Sequence, residues 1–144
     1  MRELKFRAWD IRLKKMLYNV SPLILIGNEQ WYIPSEWNSS EHENDIPYQD
    51  KIKMFVEGRR GILEQYTDLK DKNGVEIYEG DLIKFDSNKY GLMIVEFKND
   101  YVGGWVLTHP TTINHVSLGA RSSYDIEVIG NIHENPELLI NKME

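Results

Sequence analysis

The chain has 144 residues, no cysteine and a formal net charge of −6. That length sets one domain, or two small lobes sharing a core. Without thiols there are neither disulfides nor thiolate metal sites, and the acidic balance disfavours a general nucleic-acid coat.

No apolar run reaches the ~20 residues needed to span a bilayer. The start, Met1-Arg-Glu-Leu-Lys5, lacks the apolar stretch of a signal peptide. A cytoplasmic protein is the expectation. The charge is unevenly spread. Residues 1–15 hold Arg2, Lys5, Arg7, Arg12, Lys14 and Lys15 against Glu3 and Asp10, whereas residues 16–50 hold six acids and no Lys or Arg. Such a basic ribbon meets phosphate, an acidic segment of its own chain, or a partner. Lys5 and Arg7 share a strand face, since residues two apart point the same way. With Trp9 these six basic residues form the candidate interaction set.

The predicted elements are strands until the last turns. Leu4, Phe6 and Ala8 alternate with Lys5, Arg7 and Trp9, which predicts a half-buried strand. Asp10 to Lys14 is a polar turn, and Lys15 to Val20 returns. Pro22 breaks the chain before Leu23-Ile-Leu-Ile26. Gly27-Asn28 turns it into Trp31-Tyr-Ile33. Residues 34–50 lose hydrophobicity and gain proline, serine and acids, the composition of a long mobile loop. Lys51 to Val56 then places Ile52, Met54 and Val56 on one face. Gly58-Arg-Arg-Gly61 turns into Ile62 to Thr67.

Asn73-Gly74 marks a hairpin, read as a type I′ turn with both central residues at positive φ. Gly80 lets the chain turn into Leu82-Ile-Lys-Phe85, and Asp81 accepts a backbone N–H there. Leu92 to Phe97 reads as a strand buried on both faces. Tyr101 to Leu107 is another, with Gly103-Gly104 as a bulge or close approach. Residues 109–123 read as a second long loop, and Asp125 to Ile129 closes the sheet. Asn135-Pro136-Glu137 starts a helix running to about Lys142: an N-cap, a proline at the first helical position and an acid at the positive dipole end. The pattern is all-β and mainly antiparallel. An N-terminal β lobe over 1–62 carries the acidic loop, and an SH3-like small barrel over 63–144 ends in a short helix.

Chemical motifs are sparse. Asp71-x-Asn73-Gly74 has the outline of a calcium loop. However, Leu69 stands where the first carboxylate belongs, and Gly80 where the bidentate glutamate belongs. The hairpin reading wins. His42 with Glu41, Glu43 and Asp45 forms the one carboxylate–imidazole cluster, in the polar loop. His109 and His115 lack the helical pairing of zinc hydrolases, and neither a phosphate loop nor a nucleophile elbow occurs. Trp31, Tyr32, Trp37 and Tyr48 flank an acidic loop, where packing or a protein interface fits better than base stacking. No catalytic set, cofactor or metal is called for.

Three segments together resemble the YopX family of phage and prophage proteins. They are Lys5-Phe-Arg-Ala-Trp-Asp10 with Lys15-Met16, the run from Gln65 to Asp81, and the run from Val128 to Leu139. The match spans the chain. Asp68 stands where the family commonly has glycine, and His133 where it has tyrosine or phenylalanine. The resemblance implies a mostly β protein encoded on a phage or prophage genome. It implies no reaction and supplies no catalytic residues. The expectation is a non-enzymatic protein of the host cytoplasm that acts through protein contacts and self-assembles. The rival is a β-barrel nucleic-acid binder using the basic ribbon.

Overall fold

The computed structural model describes residues 2–11, 13–24, 30–34, 61–88, 90–99, 104–113, 115–119 and 125–143. These fall into two compact units. One is Leu4–Gln65; the other is Tyr66–Glu144 together with Met1–Glu3.

In the first unit β1 (Phe6–Asp10) lies between β2 (Lys15–Tyr18) and the first half of β5 (Gly61–Lys70), antiparallel to both. Ala8 stands opposite Leu17 on one side and Leu63 on the other. The pleat puts these three on one face, where Ala8, Leu17 and Val20 form a small core against Phe6 and Leu63. The reversal between β1 and β2 is held by Asp10. This residue is fully buried, and its carboxylate accepts the Leu13 N–H at 2.9 Å. Such a side-chain bond to the backbone three residues on replaces a main-chain turn bond.

β3 (Val20–Ile24) pairs antiparallel with β4 (Gln30–Pro34). Pro22 sits inside β3, opposite Tyr32, so it does not break the strand as the sequence suggested. The two strands form a separate ribbon among the described residues. An outer side of such a ribbon needs no N–H, which is where proline is tolerated.

The second unit is built on a five-stranded sheet in the order β10-β9-β8-β7-β11. Its strands are β7 (Asp81–Phe85), β8 (Leu92–Lys98), β9 (Gly104–Thr108), β10 (His115–Ser117) and β11 (Ile126–Asn131). All the pairings are antiparallel. Alternation along the strands sends Ile83, Phe85, Met93, Val95, Leu107 and Ile126 to one face, where Ile77 and Leu118 complete the core. The sheet curls into a half-barrel, and among the described residues the chain is mainly antiparallel strand with one short helix, as the sequence implies. That helix is α1 (Pro136–Met143). β6 (Glu76–Tyr78) pairs with the second half of β5, bringing the Tyr66 and Tyr78 rings to 5.4 Å.

Two local expectations are corrected. The stretch 109–123 is not one loop: β10 lies inside it and pairs with β9. β8 is not buried on both faces throughout, since Phe97 near its end is 48% exposed. The acidic stretch 35–50, the strand predicted at Lys51 to Val56 and the start of the Tyr101 strand lie outside the described residues.

Candidate functional site

The segment that stands out in the sequence, residues 65–81, carries a dense set of hydrogen bonds. β5 reverses at Asp71–Val75. The Gly74 N–H donates to the Asp71 carbonyl at 3.0 Å, and the Asp71 N–H donates to the Val75 carbonyl at 2.9 Å. Gly74 is left-handed at φ 80, but Asn73 is not. The hairpin is therefore present without the type I′ turn. It is a type I-like turn closed by one left-handed glycine, the three-residue hairpin geometry. Asp71 explains the difference. One oxygen of its carboxylate accepts the Asn73 N–H at 2.8 Å and the Val75 N–H at 2.9 Å. This holds Asn73 in the ordinary right-handed half of the turn.

The same carboxylate reaches outside its hairpin. Its second oxygen accepts the Val128 N–H at 2.9 Å, and Asp71 as a whole is only 4% exposed. Beside it the Lys72 N–H donates to the Ile126 carbonyl at 3.1 Å. The Lys72 ammonium meets Asp86 at 2.5 Å and Glu127 at 3.6 Å. Its hydrogen bond to Asp86 holds that ammonium above its ordinary pKa. Ile126 and Val128 belong to β11, the last strand in the sheet order. A β-bulge follows, where the pairing with β7 shifts between Val128 and Gly130. The turn thus occupies main-chain groups of a sheet edge that would otherwise accept a foreign strand.

A second knot joins the next part of the motif to the C-terminal segment. Gly80 is left-handed at φ 82; its N–H donates to the Val95 carbonyl and its carbonyl accepts the Ile132 N–H, both at 2.9 Å. Asp81 is buried and accepts the Tyr78 N–H at 2.7 Å, as the sequence suggested in kind. Asn131 accepts the N–H groups of His133 and Glu134. Pro136 does open α1, but Asn135 does not cap it through its side chain. That side chain points backwards and accepts the Asn131 N–H at 3.2 Å. The bare backbone at Gly130 leaves room for this, since an added Cβ there would lie 2.4 Å from the Asn135 oxygen.

The basic ribbon is only partly a surface. Arg7 was expected to face solvent with Lys5 and Trp9. Instead it is 3% exposed, and its Nε meets a Glu64 oxygen at 2.7 Å across the β1–β5 pairing. Alternation predicts a wet face, yet Arg7 is buried on it, and a buried guanidinium takes a carboxylate partner. Arg2, Lys14 and Lys15 are exposed, Lys5 and Trp9 are half-buried, and Arg12 lies outside the described residues.

Other candidate groups do not converge. The His42 cluster and Trp37 lie outside the described residues. His109 uses one ring nitrogen to accept the N–H of its neighbour Thr111 at 3.2 Å. No three His, Asp or Glu side chains among the described residues could hold a metal ion. No helix among them is long and apolar enough to cross a membrane. Phe97 packs edge-on against Trp105 at 5.2 Å between ring centroids. Asp71, Glu64 and Asn131 were not picked out as organising residues by the sequence. An aspartate two residues ahead of Asn-Gly was the available signal for the first; the other two carry no local pattern.

A crystal structure of protein EF1440 from Enterococcus faecalis is similar to this chain. It shares 28% identity and a TM-score of 0.62, with 96% of this chain and 99% of that one covered. The crystal structure of YopX from Bacillus subtilis matches at 22% identity and a TM-score of 0.54, covering 96% and 97%. No curated protein matches the chain. The family model described as YopX protein matches residues 5–140, and the chain belongs to the YopX family.

Proposed function

We propose that this is a phage- or prophage-encoded protein of the host cytoplasm that acts through protein contacts, without catalysis, and assembles with copies of itself. The phage origin rests on family membership. The contact role rests on how the motif's polar side chains are used. Asp71, Asp81, Asn131 and Asn135 are all turned onto backbone N–H groups of their own chain. They brace a scaffold.

The two ends of the five-stranded sheet differ. At β11 the hairpin turn occupies the edge. At the other end stands β10, His115-Val-Ser117, with no lysine, proline or carboxylate of the kind that keeps an edge from pairing. The Leu118 N–H donates to the Trp105 carbonyl. The alternate residues His115 and Ser117 therefore direct their main-chain groups away from β9. A second copy adding its own β10 there would continue the sheet through main-chain bonds.

Size-exclusion chromatography with light scattering tests this. The expected mass at tens of micromolar exceeds 17.0 kDa. Ser117→Pro removes an outward N–H without touching a β9 bond, and should return the protein to a monomer. A wild-type monomer would refute assembly. Sub-micromolar binding of mixed-sequence DNA at physiological salt, lost on Lys14→Glu with Lys15→Glu, would instead favour the nucleic-acid reading.

A further inference from the structure

We propose that Asn73-Gly74 is a site of spontaneous amide-to-acid conversion, gated by the hold of the hairpin turn on β11. Asn73 alone among the asparagines precedes a glycine. Both residues are exposed, and nothing lies within 4 Å of the place a Gly74 Cβ would take. Among the described residues the Asn73 side-chain amide has no hydrogen-bond partner, its backbone N–H being the group that Asp71 binds.

The chemistry needs only water and a solvent base. The Gly74 backbone nitrogen gives its proton to the base and attacks Cγ of Asn73. A new N–C bond closes a succinimide ring, and the side-chain nitrogen leaves as ammonia. Water then opens the ring at either carbonyl, leaving aspartate or isoaspartate at position 73. The attack is intramolecular and gains the proximity advantage of such reactions. Glycine puts no side chain in its path.

The closed turn restrains this reaction. The attacking nitrogen is engaged, since its N–H donates to the Asp71 carbonyl at 3.0 Å. The Asp71 carboxylate also fixes the N–H groups on both sides of it, at Asn73 and Val75. Attack requires the turn to open. That same carboxylate holds the Val128 N–H, so opening the turn also loosens its grip on β11. The rate of conversion thus reports how often the turn lifts from the sheet edge. The product acts back on the gate. Isoaspartate lengthens the turn backbone by one atom, and either product sets a new carboxylate beside Asp71. Both oppose reclosure, and a converted molecule leaves the β11 edge open.

The test incubates the purified full-length protein near neutral pH and maps isoaspartate by peptide mass spectrometry. A synthetic peptide covering residues 68–78 is the ungated reference. Asn73 should convert before any other asparagine, at about a tenth of the peptide rate or slower, the factor that a local opening free energy of ~1.4 kcal/mol imposes. Asp71→Ala should raise the rate towards that of the peptide. In wild-type protein under sub-denaturing urea, conversion and Val128 amide exchange should rise in parallel, which tests the gate even if Asp71→Ala does not fold. Converted protein should exchange its Val128 amide faster than unconverted protein. Equal rates in protein and peptide would overturn the proposal. So would earlier conversion of another asparagine, or an unchanged Val128 exchange after conversion.

Discussion

Asp71 and Val128 stand 57 positions apart, and the carboxylate of one accepts the backbone N–H of the other at 2.9 Å. Both oxygens of Asp71 are thereby used inside the fold, three N–H groups in all. A hydrogen bond to an ionised group is roughly twice as strong as a neutral one. This single side chain shapes its own turn and anchors it to a strand from the far end of the chain.

Asp71→Asn should destabilise the protein by about 2–3 kcal/mol, because an amide presents a donor where the backbone also presents donors. Thermal melting measures the loss. Amide exchange should quicken at Val128 before it quickens at Met93 in the centre of the sheet. An unchanged melting midpoint would mean that the turn rests on β11 without supporting it.

Two left-handed positions of the same hairpin call for opposite outcomes. Gly74 has φ 80, and a β-branched side chain there is strained even in open space. Gly74→Val should lose about 1 kcal/mol or more. Asp68 has φ 68, at the irregularity between Tyr66 and Lys70 where β5 and β6 slip register. Glycine relieves that conformation, so Asp68→Gly should gain up to about 1 kcal/mol. Its weak bond from the Glu3 N–H, 3.4 Å long, is a minor loss. Urea melts of the two variants should move in opposite directions, and a shift of the same sign would contradict the backbone argument.

Gly130→Ala forces a methyl group to within 2.4 Å of the Asn135 side chain. The side chain must leave its bond to the Asn131 N–H. A loss of about 1–3 kcal/mol follows, the usual range for overpacking. Asn135→Ala should cost less alone, and the double variant should be more stable than the sum of the two predicts. Simple additivity in chemical denaturation would show that the crowding is relieved elsewhere.

Arg7→Met leaves Glu64 buried without the guanidinium opposite it. Breaking one side of a buried pair loses about 3–5 kcal/mol. Arg7→Met with Glu64→Leu should be the more stable of the two variants, because no buried charge then lacks this partner. If the double variant melts below the single one, the pair has a role beyond mutual neutralisation.

The strands and hairpins were legible because their signals are local. Alternation gave β1 and β7, Asn-Gly gave the reversal after β5, and Asn-Pro gave the start of α1. What the sequence hid is long-range. Asp71 reads as a turn residue or a failed calcium ligand until β11 is placed beside it. Arg7 reads as solvent-facing until Glu64 is placed opposite. Asn135 reads as a cap until Gly130 leaves room for it to bend back. Three-residue strands such as β10 are too short for any period to register. Pro22 gave a false stop because proline marks a strand end only when its neighbour needs its N–H.

The distance between Asp71 and Val128 also sets an order of folding. A hairpin with a closed turn forms in about 1–10 μs, since its contacts are local. The pairing of β11 with β7 and the docking of the turn each require closing a much longer loop, and such contacts form later. Between those two events β11 is held on one side and bare on the other. That interval is when a growing or refolding chain would meet its neighbours edge to edge. Dilution should therefore raise the refolding yield, more steeply for Asp71→Asn than for the wild type.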